Sequence, residues 1–523
     1  MDVARQVLHN ALLHDPRSGW RRRGGLVVEG GRIVGVLPHG APLPSTFRQV
    51  DCQGRVLMPG LYDAHVHLIF GGWTLQRLQA SAFPQRQDLL AEIARRARAA
   101  EGDAACLSGW VLGQDLHPGE ELPTLDELDE ASGAVPMCLD THDLHSCLCN
   151  SAALTLADAF QREDPLGGEV VRDAHGRPTG FLRENAALWM RPVIPAASPS
   201  DRRTWLLKAQ AHAHSFGITG LSENLRRDDL ALYQDLEAEE RLGLRVQGWR
   251  NDGNLDKDVL ELSPYFSPRL RVDTLKLFAD GALGSRSAAM WEPYVDGSRG
   301  GLVAEADSLR DWMRQGLERG WRLAVHAIGD AAVATLLDLF AQLKAEGLPV
   351  GGWRHRIEHA QFIRPCDHLR FQELEIIPSV QPLHCATDQD GFAARLSTAQ
   401  AEIAFPWRSL LQRGLPLPIG TDWPVEPLDP RLNLVHGQTR RSHGGLQLIG
   451  QTEALDLEQL LRGMTWEAAR TAGWGEELGC LTLGAHADLV LWEQDPYTLS
   501  LDGLAALTPV QVYSGGRTVL EEA

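Results

Sequence analysis

MPGLYDAHVHL, residues 58–68, is an apolar stretch that carries two histidines two positions apart. In a β-strand, side chains at i and i+2 point to the same face, so His65 and His67 would converge on one point. Two imidazoles on one strand face can ligate a single metal ion. With 19 histidines in 523 residues this spacing also arises by chance, so the interpretation depends on the rest of the chain.

Strand-like apolar runs alternate with helical stretches through most of the chain, which is the pattern of parallel β/α units. Ser200-Asp201 at a helix start and Gly347 after a helix end are the expected caps. Eight such strands predict an α/β fold of the (β/α)8 TIM-barrel class, with its active site at the carboxyl ends of the strands. The predicted strands are 61–68, 218–223, 244–249, 272–278, 323–328, 355–359, 375–381 and 415–421.

Both ends of the chain carry strand-like runs around a Gly-Gly-Arg turn, GLVVEGGRIVGVL at 25–37 and VQVYSGGRTV at 510–519. Because chain termini often lie close together, we predict one small β domain from residues 1–58 and 475–523. The barrel would then occupy residues 59–474. Residues 71–200 interrupt the β/α alternation after the first strand, so we expect an inserted subdomain that covers the barrel mouth and shapes the substrate pocket.

The composition excludes several classes of protein. Hydrophobic residues at 44% and charged residues at 23% are ordinary for a globular protein. A formal net charge of -19 argues against nucleic acid and anionic membranes as partners, because no basic stripe is left for phosphates. We find no apolar run of membrane-spanning length and no apolar signal segment, so we expect a cytoplasmic protein. Assembly of the chain into a homo-oligomer is compatible with this composition.

The eight cysteines include no Cys-x-x-Cys pair. Cys147 and Cys149 are separated by one residue, a spacing that suits neither a zinc knuckle nor a compact disulfide. We therefore expect the cysteines to be reduced and mostly buried.

Ligand-type side chains stand at or near the ends of the predicted barrel strands. A histidine or carboxylate at the carboxyl end of a barrel strand is typical of a catalytic site. Imidazole and carboxylate suit borderline divalent metals, with zinc as the first expectation. The set is sufficient for one or two ions and comprises His65, His67, Lys276, His326, His359 and Asp422.

These residues lie in motifs that resemble the amidohydrolase superfamily, and within it the amidohydrolase-3 branch of YtcJ-like proteins and N-substituted formamide deformylases. Five motifs stand at strands 1, 4, 5, 6 and 8, where the superfamily carries its ligands. The resemblance extends over nearly the whole chain and implies that the terminal β domain is a β-sandwich. The barrel motifs are PGLYDAHVHL at 59–68, KLFADGALGSR at 276–286, HAIGDA at 326–331, RIEHAQ at 356–361 and GTDWPV at 420–425; the predicted insert adds DLHS at 143–146, NSAAL at 150–154 and GRPTGFLRE at 176–184, and the tail adds GAHADLVL at 484–491.

The resemblance implies a role for each ligand. His65 and His67 would hold the more buried metal, and His326 and His359 the second. Asp422 would ligate a metal and serve as general base, taking a proton from metal-bound water and passing it to the leaving nitrogen.

Lys276 can act as a ligand only after a chemical change. A protonated amine has no lone pair and repels a dication, so Lys276 must be neutral or be converted by CO2 to the carbamate that bridges two metals in many members of the superfamily. The alternative is an ordinary lysine that pairs with Asp280 beside a single metal.

Six further residues are candidates for substrate binding. Asp280 and Arg286 could orient the substrate or pin their loop through a salt bridge. His145 and Glu184, in the predicted insert, match positions typical of the branch, although a structural role would explain them equally well. His384 follows predicted strand 7 at the correct end of the barrel, and Trp423 would line an apolar pocket or simply pack. The full set is His145, Glu184, Asp280, Arg286, His384 and Trp423.

The chemistry implied is hydrolysis of a C–N bond in a small-molecule amide, formamide or cyclic amide by metal-bound hydroxide. A mononuclear deaminase of the same superfamily is the alternative, although Lys276 on strand 4 and Gly329-Asp330 after His326 favour a binuclear hydrolase. A non-catalytic barrel kept as a binding scaffold would be expected to have lost ligands, whereas all of them are present.

Overall fold

The computed structural model of the protein describes residues 5–83, 85–101, 111–116, 122–141, 146–165, 168–226, 228–251, 263–445 and 449–521. The chain divides into two compact units. The first consists of Met1–Leu68 and Gln210–Ala523, and the second is the intervening segment Ile69–Ala209.

A nearly closed barrel of seven parallel strands lies in the first unit. Each strand pairs with the barrel strand before it in the chain, so sheet order follows chain order. Most residues of these strands are buried, as expected for a parallel sheet with both faces covered, and this explains their continuous apolar runs. The strands are Leu61–Val66, Ile218–Leu225, Arg245–Arg250, Leu270–Phe278, Arg322–Ala327, Arg356–His359 and Ile377–Ser379, and the short strand Tyr265–Phe266 pairs antiparallel with the fourth.

The predicted eighth strand, 415–421, does not form a regular strand, and this part of the prediction was wrong. The segment instead spans the gap between the seventh and first strands through isolated parallel bridges, Val380 with Ile419 and Val66 with Trp423. Asp422, between the two bridges, has a left-handed backbone with φ of 61°, which interrupts extended pairing at that point. The α/β barrel of TIM type is otherwise confirmed, and the seven remaining strand predictions coincide with observed strands.

Helices connect the strands, and several begin and end at residues that favour those positions. Pro430–Thr439 has the side chain of Asp429 as its N-cap and a proline in its first turn. No helix of the described residues is both long enough and apolar enough to cross a membrane. The α-helices are Leu68–Thr74, Arg86–Glu101, Leu125–Ser132, Ser151–Leu156, Pro199–Ser215, Asp229–Ala238, Ala306–Glu318, Asp330–Ala345, His368–Leu374, Pro382–Gln389, Phe392–Arg395, Thr398–Glu402, Trp407–Gln412, Pro430–Thr439, Leu457–Arg462 and Leu501–Ala505.

Strands from both ends of the chain form one sheet in the first unit. Its core includes the fully buried Leu8, Leu26, Leu57 and Leu489. The predicted β-sandwich arrangement of these strands stays a prediction. In sheet order the strands are Arg517–Glu521, Pro509–Ser514, Leu489–Trp492, Val56–Pro59, Gln6–Asp15, Trp20–Glu29 and Arg32–Pro38, and Arg48–Asp51 pairs with Gln6–Asp15.

The second unit contains a six-stranded sheet of its own. One of its helices, Leu125–Ser132, starts with a capping box between Thr124 and Glu127. The predicted insert, residues 71–200, lies inside this unit, and its placement over the barrel mouth stays a prediction. In sheet order the strands are Gly168–Arg172, Pro178–Glu184, Ser146–Cys149, Met137–Thr141, Val111–Leu116 and Leu78–Gln79.

Candidate metal centre

The predicted metal ligands come together at the carboxyl ends of the barrel strands. His65 and Lys276 belong to the first and fourth strands, and His326 and His359 to the fifth and sixth. The ring centroid of His359 is 5.0 Å from that of His65 and 4.5 Å from that of His326. Parallel barrel strands deliver their carboxyl ends to one rim, which is why residues so distant in sequence converge.

Asp422 lies at the centre of this cluster. Its Oδ1 is 3.5 Å from Nε2 of His65 and 3.2 Å from Nε2 of His67, and its Oδ2 is 3.6 Å from Nε2 of His384. Burial alone would raise the pKa of this carboxyl, but the nearby imidazoles of His65 and His67 hold the pKa well below its ordinary value. Asp422 is therefore ionised at neutral pH. A carboxylate with so low a pKa is better suited to ligate a metal than to accept a proton. The role of Asp422 as general base stays a prediction.

Glu358 fixes the orientation of His65. Its Oε2 accepts a hydrogen bond from Nδ1 of His65 at 2.7 Å, which leaves Nε2 as the lone-pair atom that faces the cluster. Arg356 holds the carboxylate in turn, with Nε and Nη2 donating at 2.7 and 3.1 Å. Burial would raise the pKa of Glu358, but the Arg356 guanidinium and the His65 hydrogen bond hold that pKa far below its ordinary value. A carboxylate behind the imidazole is a frequent partner of metal-binding histidines.

Two more hydrogen bonds orient the rings of His359 and His326. Nδ1 of His359 donates to Oε1 of Gln381 at 3.0 Å, so Nε2 of His359 carries the lone pair. Nε2 of His326 lies 3.2 Å from the carbonyl oxygen of Gly281, which can only accept, so Nδ1 of His326 carries the lone pair. His359 and Asp422 both have positive φ, 70° and 61°, a strained backbone that recurs at functional sites.

His65, His326 and His359 are neutral at neutral pH, which is the state that ligation requires. Burial is the main cause that lowers the pKa of His65 to about 4 and of His326 to about 3, and the charge of Lys276 adds to both effects. Burial also holds the pKa of His359 well below its ordinary value. The imidazoles would therefore meet a metal ion at neutral pH without first losing a proton.

Lys276 is buried beside His65, with Nζ 3.5 Å from Nε2 of His65. Burial lowers the pKa of this amine to about 8, so a fraction of it is neutral near neutral pH. The neutral amine is the form that can ligate a metal or combine with CO2.

The donor set fits a divalent cation. Oδ1 of Asp422 and Nε2 of His384 are buried, and neither forms a hydrogen bond with any part of the chain that the structure describes. Two such unpaired atoms in one place are costly unless a ligand meets them. Imidazole and carboxylate are the ligands that zinc and its neighbours accept. Two groups of three donor atoms, each within 4.8 Å of one another, share Asp422: His65, His67 and Asp422, and His359, His384 and Asp422.

Asp63 joins the first barrel strand to segment 415–421, which spans the gap between the seventh and first strands. Its Oδ1 accepts the backbone N–H groups of His65 and Thr421, both at 3.0 Å, and its Oδ2 accepts the Thr421 hydroxyl at 2.6 Å. Gly420 is required between them, since a Cβ there would lie 2.5 Å from the backbone nitrogen of His65. This close approach sets Asp422 against His65 in the first strand and His67 directly after it.

The salt bridge considered between Asp280 and Arg286 is not formed, which corrects that expectation. Nε of Arg286 lies 3.4 Å from a carboxylate oxygen of Asp296 instead. Asp280 does not serve as the partner of Lys276 either, because its carboxylate binds the backbone and lies 3.6 Å from Nε2 of His326. The amides that donate to Asp280 are those of Ala289, Ile328 and Gly329, at 3.0, 3.0 and 2.8 Å.

His384 belongs to the metal cluster itself and not to a separate part of the pocket. It lies on the helix Pro382–Gln389, and its ring stacks on that of His359 with centroids 5.7 Å apart. Nδ1 of His384 is 3.2 Å from Nε2 of Gln361. His384 therefore has the position of a further ligand.

The other candidates for substrate binding are less directly connected to the cluster. Trp423 is 5% exposed, and its ring centroid is 5.6 Å from that of His212. Glu184 is an exposed residue at the end of the strand Pro178–Glu184 in the second unit. His145 lies outside the described residues. Their roles in substrate binding stay predictions.

Sequence reasoning overlooked the residues behind the ligands, namely Asp63, Arg356, Glu358 and Gln381. A carboxylate inside an apolar strand is the signal that could have found Asp63 and Glu358, because carboxylates are rarely buried without a partner. Arg356 and Gln381 carry no comparable signal.

An α/β barrel that collects histidines, a lysine and an aspartate at its carboxyl rim has the architecture of a metal-binding barrel enzyme. The sequence model of the amidohydrolase family matches residues 48–520. The chain belongs to this family, and the resemblance inferred from the motifs is confirmed.

Relatives agree with this assignment. The chain is 30% identical over 503 residues to the protein LONG AFTER FAR-RED 3 of Arabidopsis thaliana, covering 90% of this chain and 83% of that protein. It is 26% identical over 524 residues to the N-substituted formamide deformylase of Arthrobacter pascens, covering 94% of both. A solved structure of an uncharacterized metal-dependent hydrolase from Pyrococcus furiosus superimposes with a TM-score of 0.78 at 26% identity, covering 94% of this chain and 99% of that one. The family and this neighbour identify the chain as a hydrolase.

Proposed function

We propose that the protein hydrolyses a C–N bond in a small-molecule amide, formamide or cyclic amide, with one or two divalent metal ions, zinc first, as cofactor. The observation that carries the proposal is Asp422, whose two oxygens face histidines from the two neighbours of its own segment, the first strand and the helix after the seventh. The similarity to an N-substituted formamide deformylase supports the class of substrate. The residues that would hold the metal are His65, His67, His326, His359, His384 and Asp422, with Lys276 as a bridge if it is a carbamate.

When bound, the metal supplies a Lewis acid that lowers the pKa of water from about 15.7 towards about 7 and polarises a carbonyl. The chain's own residues supply position and proton transfer. Glu358 keeps Nε2 of His65 directed into the site. Asp422 is ionised and central, so it would ligate the metal. The family resemblance implies that it also takes the proton of the attacking water and returns it to the leaving nitrogen.

The test is a hydrolysis assay on the full-length, zinc-loaded protein with four substrate classes: N-substituted formamides, acyclic amides, cyclic amides and amino-substituted heterocycles. We expect release of an amine from one of the first two classes, or ring opening in the third. Asp422→Asn should lower the rate by about 10²–10⁴-fold, because it removes a proton carrier and a ligand charge. Asp390→Asn, at an exposed residue, is the matched control and should leave the rate unchanged.

Two outcomes would contradict the proposal. Release of ammonia from the heterocycles alone would identify a deaminase, and turnover that survives Asp422→Asn would remove Asp422 from the chemistry. A zinc-loaded protein that hydrolyses none of the four classes would point to the scaffold alternative.

A further inference from the structure

Three thiols lie together in the second unit, in a part of the sequence that the metal centre does not use. Cys147 and Cys149 share one strand, and Cys138 lies on the neighbouring antiparallel strand. Cys149 is directly opposite Cys138, and Cys147 is directly opposite Asp140. Because side chains alternate along a strand, all four residues are on the same face of the sheet.

The three thiols lie close enough together to approach one ion. All three Sγ atoms lie within 4.8 Å of one another, and those of Cys147 and Cys149 are 3.7 Å apart. Thiolates bound to one tetrahedral zinc ion, with Zn–S bonds of about 2.3 Å, are about 3.8 Å apart. Cys147 and Cys149 are therefore already at ligand spacing, and Cys138 lies within about an ångström of it. The spacing of Cys147 and Cys149 along the sequence gives no hint of this, since the third thiol comes from the next strand.

The surroundings of the thiols are closed and apolar. Cys138, Cys147 and Cys149 are at most 1% exposed, and residues packed with them include Leu154 and Leu182. A closed site suits an ion bound while the unit folds, whereas a redox centre must be open to its oxidant.

We propose that Cys138, Cys147 and Cys149 bind one thiophilic metal ion, with Zn²⁺ as the expected species and the Asp140 carboxylate as the candidate fourth ligand. Binding replaces three S–H bonds with three metal–sulfur bonds, and the three protons are released to solvent. Thiolates favour zinc or copper(I) over magnesium, calcium and manganese. The ion would tie together two strands of the second unit, and this role does not depend on the proposed function of the barrel.

The test is a titration of the metal-free, full-length protein with Co²⁺, which substitutes for zinc and is coloured. Thiolate ligands give an intense charge-transfer band in the near ultraviolet that imidazole and carboxylate ligands lack, so the band reports the thiols and not the barrel. We expect the intensity of the band at saturation to correspond to one thiolate-bound ion per chain, with further cobalt taken up by the barrel, and the band to disappear on addition of Zn²⁺. Cys138→Ser and Cys147→Ser should each weaken the band several-fold. Cys366→Ser, at the exposed cysteine, is the matched control and should leave it unchanged.

A second measurement uses the unaltered protein, in case the serine variants fail to fold. Zinc-edge X-ray absorption of the zinc-loaded chain should contain a sulfur shell at about 2.3 Å beside the nitrogen and oxygen shell of the barrel. A sulfur shell at a copper edge would support the site and identify copper(I) as its ion. Absence of both the band and the sulfur shell would overturn the proposal, as would a Cys138–Cys149 disulfide in protein isolated without reductant.

Discussion

Glu358 and Arg356 form a buried ion pair directly behind a metal-ligand candidate, His65. Burying a pair of charges costs about as much solvation as the attraction returns, so the pair is not explained by stability alone. The more direct consequence of this ion pair is that it orients the imidazole of His65. At the scale of single residues, the candidate site therefore depends on charges that do not themselves touch the metal.

Glu358→Gln tests this orientation. The amide keeps the shape of the carboxylate but removes its charge, so zinc affinity should fall by about 10–100-fold. The affinity is measured by competition with a chromophoric chelator. Glu373→Gln, at an exposed glutamate, is the matched control and should leave the affinity unchanged. A folded Glu358→Gln variant with the zinc affinity of the unaltered protein would refute the orienting role.

At the scale of elements, the seven regular barrel strands were predictable because both of their faces are covered and each strand is a continuous apolar run. The eighth was predicted as a strand from the same kind of run, but its pairing is confined to isolated bridges at Ile419 and Trp423, on either side of Asp422. The sequence does not show that a non-glycine residue such as Asp422 will adopt a left-handed φ. The ligands were predictable because each stands at a strand end, whereas Gln381 and the contact made by Gly420 depend on tertiary approach.

His355 joins two barrel strands and predicts a dependence of stability on pH. Its Nδ1 accepts the backbone N–H of Leu323 at 3.1 Å, and its Nε2 donates to the carbonyl of Pro349 at 2.8 Å. The first bond needs the neutral ring, because a protonated Nδ1 cannot accept, and burial lowers the pKa of His355 to about 4. The unfolded chain has a pKa of about 6.5 for this group, so the stabilisation is complete above pH 6.5 and is lost as pH falls towards 4.

His355→Asn separates this effect from the titration of other groups. Asparagine can accept from Leu323 but does not titrate, so the stability advantage of the unaltered protein should shrink between pH 7 and pH 4, by up to about 1.4 kcal/mol per pH unit. Thermal unfolding of both proteins across this range measures the difference. His175→Asn, at an exposed histidine, is the control. A difference that stays constant with pH would contradict the assignment.

At the scale of the whole molecule, the terminal sheet is anchored to the barrel by a buried ion pair. Arg245, at the start of the third barrel strand, donates from its Nε to Asp488, which precedes the strand Leu489–Trp492. Arg245 also donates to the carbonyl of Pro268 at 2.9 Å. The pair therefore links segments that are 243 residues apart within the first unit.

Asp488→Asn should destabilise the protein by about 3–5 kcal/mol, because it leaves the Arg245 guanidinium buried without its counter-charge. The change is measured as a shift of the urea unfolding midpoint. Glu29→Gln breaks the exposed pair with Arg5 and should cost about 0–1 kcal/mol. Equal midpoints for the two variants would show that the buried pair does not anchor the sheet.

The central claim is that the carboxyl rim of the barrel is a metal centre, and elemental analysis tests it most directly. Zinc content per chain is compared between the unaltered protein and Asp422→Ala, both grown with zinc and bicarbonate, so that an ion at the thiols contributes equally to both. The unaltered protein should retain one or two ions more, and a carbamate on Lys276 would add about 44 Da to its mass under non-denaturing conditions. Equal zinc content in the two folded proteins would contradict the account.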